Sequence, residues 1–124
     1  MSLAFYKVLH VLAVFLVIAA LGGVAAHAAS GQSKQASPLY RLSMALHGVG
    51  LLLALVGGFG MLAKLGVDGG ALIPGWAWAK MVVWLLFAAA IAVPYRAPQA
   101  ARHLLWGLPV LGGIATYLAI YKPF

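Results

Sequence analysis

Polar residues are rare along this chain, and where they gather they divide it into four apolar runs, at about residues 5–28, 42–63, 76–93 and 103–120. Each is close to the roughly 20 apolar residues that a helix needs to cross a bilayer core about 30 Å thick. Between the runs lie polar or helix-breaking segments: Ser30 to Pro38, a second beginning Gly66-Val67-Asp68-Gly69-Gly70, and Pro94 to Gln99. Pro94 closes the third run and Pro109 lies inside the fourth. The pattern predicts an all-α protein, an integral membrane four-helix up-and-down bundle forming one domain over residues 1–124. Short connections would place both ends of the chain on one side.

The first run invites comparison with a cleavable signal, since Lys7, an apolar stretch and Ala26-His27-Ala28 follow in the right order. Its apolar stretch is longer than the roughly 7–15 residues of a signal. It is expected to be retained as a helix.

Composition sharpens the class. Of 124 residues, 65% are hydrophobic and 7% charged, the mean hydropathy is +1.06 and there is no cysteine. A soluble domain carries about 25% charged residues, so a water-facing globule is excluded, along with disordered, collagenous and disulfide-stapled chains and a Cys-ligated metal. The net charge of +7 raises nucleic acid as a partner, but a nucleic-acid face clusters its basic residues. Here Lys7, Lys34, Arg41, Lys64, Lys80, Arg96, Arg102 and Lys122 stand singly, all but Lys80 at the edges of apolar runs. Such residues reach from helix ends to lipid headgroups. The expected partner is the lipid bilayer, with no nucleic acid. Lys34, Arg41, Arg96 and Arg102 on one side against Lys7, Lys64 and Lys122 on the other lean slightly towards chain ends outside the cytoplasm.

Ionisable residues inside the runs are the candidates for chemistry, because burying them in a membrane is costly. They are His10, His47 and Lys80, with His27 and His103 near run ends. A histidine in such a place either ligates something or hydrogen-bonds a neighbouring helix, and both readings stand. At 1.5 Å per residue, His10 and His47 are displaced by about 9 Å from the middle of their runs in opposite directions, hence about 18 Å apart in depth. They cannot share one haem iron within a protomer. One level then holds His10, Lys80, Trp76, Trp78 and Tyr117, and the other holds His47, His27, His103, Arg41 and Arg102. Lys80 is too deep for easy snorkelling, and either pairs with an anionic ligand such as a porphyrin propionate or stays neutral.

Small residues offer a further reading. Ala19 with Gly23, and Ala54 with Gly58, have the small-xxx-small spacing of close helix packing. His47, Gly50, Ala54 and Gly57/Gly58 follow one helical face, which suits either packing or a bed for a macrocycle. Trp76 and Trp78 lie where an interfacial aromatic belt is expected. There is no carboxylate pair, GxSxG or HExxH. The single acid, Asp68, falls in a Gly-rich loop.

Several short segments together resemble the HemJ-type membrane protoporphyrinogen oxidases, and more loosely the CopD-like and SirB-like small four-helix proteins. They are Lys7-Val8-Leu9-His10, Leu39-Tyr40-Arg41-Leu42-Ser43-Met44, the glycine-bearing Gly57-Gly58-Phe59-Gly60-Met61-Leu62, Trp76-Ala77-Trp78-Ala79-Lys80 and the closing Tyr121-Lys122-Pro123-Phe124. In order and spacing they extend over most of the chain. The resemblance implies a four-helix membrane fold, a haem b associated with His10, a matching third-helix lysine at Lys80, and porphyrinogen oxidation with electrons passing to quinone. The chain departs from the family pattern where an N-E-x-P segment reads Trp106-Gly107-Leu108-Pro109, without the acid, and where a W-L-H-A-K histidine is Trp78. The resemblance therefore bears on fold first, haem second and oxidase activity last.

The expectation is a haem b-binding membrane protein in membrane redox or porphyrin chemistry. His10 is the preferred axial ligand, Lys80 the propionate partner, His47 either a second haem ligand or a ligand shared with another protomer, and Arg41 a further cofactor-binding residue. Quinone or porphyrin would be its small-molecule partners, and a homo-oligomer or larger membrane complex its setting. The alternative is a cofactor-free structural or assembly subunit docking through its small-residue faces.

Overall fold

A computed structural model describes residues 1–66 and 73–124. Among these residues there are four α-helices and no strand: α1 (Leu3–Ala29), α2 (Tyr40–Lys64), α3 (Gly75–Ala90) and α4 (Pro98–Tyr121). A 3-10 turn at Lys34–Ala36 lies within the first connection. Asp68 and the expected Gly-rich loop fall outside the described residues.

Each boundary has a local cause. Ser2 caps α1, its hydroxyl accepting from the Phe5 N–H at 3.1 Å. Gly31 and Gly66, just beyond α1 and α2, take φ of +87° and +86°, the left-handed geometry that glycine adopts without a Cβ clash. Pro98 opens α4, where a missing N–H costs nothing.

Three helices, α1, α2 and α4, are long and apolar enough to cross a membrane. The third is shorter than its apolar run, because α3 ends at Ala90 and residues 91–96 continue as turns around the buried Pro94. At 16 residues it spans about 24 Å. Conversely, α4 starts at Pro98, five residues before its expected boundary at 103.

The helices run antiparallel in sequence order. Along the α1–α2 seam, Val17 lies on Gly50, His10 on Gly57 and Tyr6 on Gly60, so numbers fall on one helix as they rise on the other. Such intimacy requires glycine: a Cβ on Gly50 would come within 2.7 Å of the Val17 side chain and 3.0 Å of the Ala13 carbonyl oxygen. On its other side α1 packs against α4, with Val17, Leu21, Leu108 and Leu118 in a buried cluster joined by Val83 and Phe87 of α3. A second cluster of Ala25, Ala28 and Ala101 closes the far end of the α1–α4 contact. α3 rests on α4 and barely touches α2. That gap is where the candidate site forms.

Outside the small core, large apolar side chains face outward on every helix. Val8, Phe15, Leu52, Leu85, Trp106 and Ile120 are all more exposed than buried.

Candidate functional site

Two adjoining clefts of about 410 and 480 Å³ lie among the helices, the first mainly between α2 and α3 and the second between α3, α1 and the C-terminal half of α4. Lys7, His10, Ala54, Met61, Lys80, Trp84 and Ala119 line both, so the two are branches of one groove. The first branch reaches Trp76, Trp78 and Lys122, and the second reaches Val83, Phe87 and Thr116. Four of the five residues expected at one level are therefore brought together: His10, Lys80, Trp76 and Trp78. The fifth, Tyr117, faces outward and stacks on Tyr121 at 4.8 Å.

His10 is fixed by geometry. Its Nδ1 lies 2.8 Å from the Ala54 carbonyl oxygen, and a carbonyl only accepts, so Nδ1 donates. In the neutral ring the lone pair then belongs to Nε2. A backbone carbonyl holding one imidazole N–H while the other nitrogen stays basic is the usual support of a metal-ligating histidine. The imidazole also rides on Gly58, with ring atoms 3.6 and 3.7 Å from where a Cβ would sit, while Gly57 admits the His10 backbone. The small residues of α2 thus divide in function. Gly50 and Gly57 are filled by α1 itself, so the face is not an open macrocycle bed along its length. Ala54 and Gly58 do line the groove.

Lys80 projects from α3 at about 8 Å from the start of that helix. It is half-buried, and it lines both branches of the groove. Trp84, one turn further on, donates its indole N–H to the Leu51 carbonyl at 3.0 Å.

His47 has a different task. It is 4% exposed, and its Nε2 donates to the Phe87 carbonyl at 3.1 Å. Phe87 is among the last four residues of α3, whose carbonyls have no partner within the helix. His47 satisfies one of them, tying α2 to α3, and it lines neither branch of the groove. His47→Leu should therefore cost about 1–3 kcal/mol through the orphaned carbonyl, seen as a lower midpoint in thermal unfolding followed by helical circular dichroism. An unchanged midpoint would contradict this role.

The expected second level does not assemble. Arg41 and Arg102 are exposed, and His103 is exposed with its Nδ1 accepting from the Trp106 indole at 3.3 Å. His27 pairs instead with Tyr95, Nδ1 to hydroxyl at 2.7 Å, and Tyr40 meets Tyr95 edge-on. Burial pushes the Tyr95 phenol above its ordinary range, with Tyr40 adding to the shift and a hydrogen bond from Ser37 opposing it. The His27 Nε2 is buried without a hydrogen-bond partner among the described residues. No group of three metal-ligating side chains occurs among those residues.

Sequence reasoning missed Met61, Trp84 and Ala119 as groove residues. Two of them carried a signal, for Met61 follows Gly58 by three residues and Trp84 follows Lys80 by four, the spacings of one helical face. Lys122, an end-of-run cation within the closing Tyr121–Phe124 segment, reaches the groove beside Trp76, which its place in the sequence does not indicate.

No protein-family model, no curated protein and no solved structure matches this chain.

Proposed function

We propose that this chain is an integral membrane protein that binds haem b in the groove between α2 and α3, with His10 Nε2 as the axial ligand, and takes part in membrane redox or porphyrin chemistry. The observation that carries the reading is the His10 Nδ1–Ala54 carbonyl bond at 2.8 Å, which sets the tautomer that an iron requires. The groove also suits the group in size, since ligand pockets fall at about 300–1,000 Å³, and in character, being apolar with Lys80 beside the histidine. When bound, haem supplies one-electron chemistry. The chain's own residues do the rest: His10 holds the iron, Lys80 offers a cation to a propionate, and Trp84 and Met61 wall the macrocycle from lipid.

Membrane insertion is supported by the three long apolar helices and by the outward ring of large apolar side chains. A bacterial inner membrane, and quinone as electron partner, rest on the resemblance of Lys7–His10, Trp76–Lys80 and Tyr121–Phe124 to the HemJ-type segments. His47 holds no haem in this reading, because it is buried and lines neither branch of the groove. A second reading, a cofactor-free assembly subunit, is favoured by Ala19 and Gly23, which lie exposed on α1 with open space around Gly23.

The test is a visible spectrum of the protein purified after growth with added haem precursor, oxidised and then dithionite-reduced. A Soret band with reduced α and β bands is expected. A featureless spectrum transfers the conclusion to the assembly reading.

A further inference from the structure

The groove is asymmetric in charge along its length. Its inner part is apolar apart from His10 and Lys80, but where α1 begins and α4 ends, two more cations, Lys7 and Lys122, line it. Among the described residues no acidic side chain faces any of them, since the only Asp or Glu in the chain is Asp68. Cations at one end of an apolar groove fit a ligand with an apolar body and acidic groups at one edge.

Lys122 is not merely a tail residue that happens to lie near. Its backbone has φ of 47° and ψ of 58°, a left-handed conformation that costs a non-glycine residue about 1 kcal/mol or more. The turn redirects the chain so that the Phe124 backbone oxygen accepts from the Trp76 N–H at 3.1 Å, in the first turn of α3. The Phe124 ring settles on Gly75, where a Cβ would be 2.5 Å from the ring. The Lys122 Nζ lies 5.4 Å over the Trp76 ring, within cation–π range. The segment from Lys122 to Phe124 thus clasps the start of α3 and holds an ammonium at the groove's end.

We propose that Lys7 and Lys122 form a two-cation grip for the carboxylates of the groove's ligand, with the clasp made by Phe124 setting the position of Lys122. The proposal rests on the haem reading above and adds to it the residues that orient the macrocycle. Propionates would then point towards the end of the groove where α1 begins, with the apolar vinyl- and methyl-bearing edge among Val83, Phe87 and Thr116. One acidic group meets Lys7 and Lys122, while Lys80 remains for the other.

The experiment compares hemin with hemin dimethyl ester, whose carboxylates are masked, by Soret titration of the full chain in phosphatidylcholine nanodiscs, which keep anionic headgroups from competing. Wild-type protein should bind the diacid more tightly than the diester. The Lys7→Gln/Lys122→Gln variant should lose about five- to tenfold in affinity for the diacid, as expected for two partly exposed ion pairs, and nothing for the diester. Phe124→Ala should lower diacid affinity although it removes no charge. Equal affinity of the wild type for both ligands overturns the grip together with the Lys80–propionate pairing, and leaves His10 ligation standing. A wild type that takes up neither overturns both. If the double variant fails to fold, Lys122→Gln alone, which leaves Lys80 in place, serves instead, and an unchanged diacid affinity overturns the grip.

Discussion

Reconstitution of His10→Ala with hemin is expected to give no Soret band at ligand concentrations that saturate the wild type, a loss of affinity beyond about 100-fold. Loss of a partner that merely orients a ligating histidine lowers metal affinity about 10–100-fold, and here the ligand itself is removed. No other histidine can substitute. His47 is buried outside the groove, His27 lies seventeen residues along α1 from His10, and His103 is exposed at the opposite end of α4 from Ala119. His10 also joins α1 to α2 through Ala54, so a band lost through unfolding must be told apart from a band lost through ligation. Imidazole added to His10→Ala does this, since it can enter the space vacated by the side chain and restore the band only if the groove is intact. His47→Ala, by contrast, should keep its Soret band while melting earlier. A full-strength band in His10→Ala without imidazole would remove the basis of the proposed function.

The helices themselves were legible in the sequence, because helix boundaries in an apolar chain are written by its polar breaks. Gly31 and Gly66 stop α1 and α2 within a few residues of the expected ends. The exception, α3, ends early because the turns around Pro94 take over at Ile91, and an apolar run cannot say whether its last residues are helix or buried turn. The level of each histidine was also legible, since depth follows from residue count alone. His10 lies beside Ala54 and Gly57, seven and ten residues along α2 from His47, a separation of about 10–15 Å by helical rise. What the count could not give is rotation about the helix axis. His47, Gly50 and Gly57 share a face with Ala54, but only the packing of α1 reveals that its backbone occupies that face at Gly50 and Gly57 and leaves room at Gly58. Arg41 and Lys122 show the same limit. Both are cations at helix ends, yet the left-handed turn at Lys122 carries one to the groove while Arg41 faces away.

Gly57→Ala and Gly23→Ala are expected to have effects of opposite sign, although each adds one methyl group to a helix. The open surroundings of Gly23, with nothing within 4 Å of an added Cβ, leave only the helix propensity gain, about 0.5–1 kcal/mol of stabilisation. At Gly57 the same methyl would stand 2.8 Å from His10 Cβ and 2.9 Å from both His10 Cα and N. Those are backbone and near-backbone atoms that cannot rotate away, so α1 and α2 must separate. Overpacking of this kind costs about 1–3 kcal/mol, more than the propensity gain returns. The displacement falls on the residue whose Nδ1 depends on the Ala54 carbonyl three residues away, so the damage extends beyond stability. Lengthening that 2.8 Å bond loosens the tautomer control of Nε2, and Gly57→Ala should bind hemin about tenfold more weakly, within the range for a lost orienting partner. Thermal unfolding of both variants, with hemin titration of each, measures the two effects separately. Equal melting of Gly57→Ala and the wild type would mean that the α1–α2 seam is looser than its glycines indicate. A weakened hemin affinity in Gly23→Ala would mean that the outward face of α1 takes part in binding, as it would if a second helix packed there.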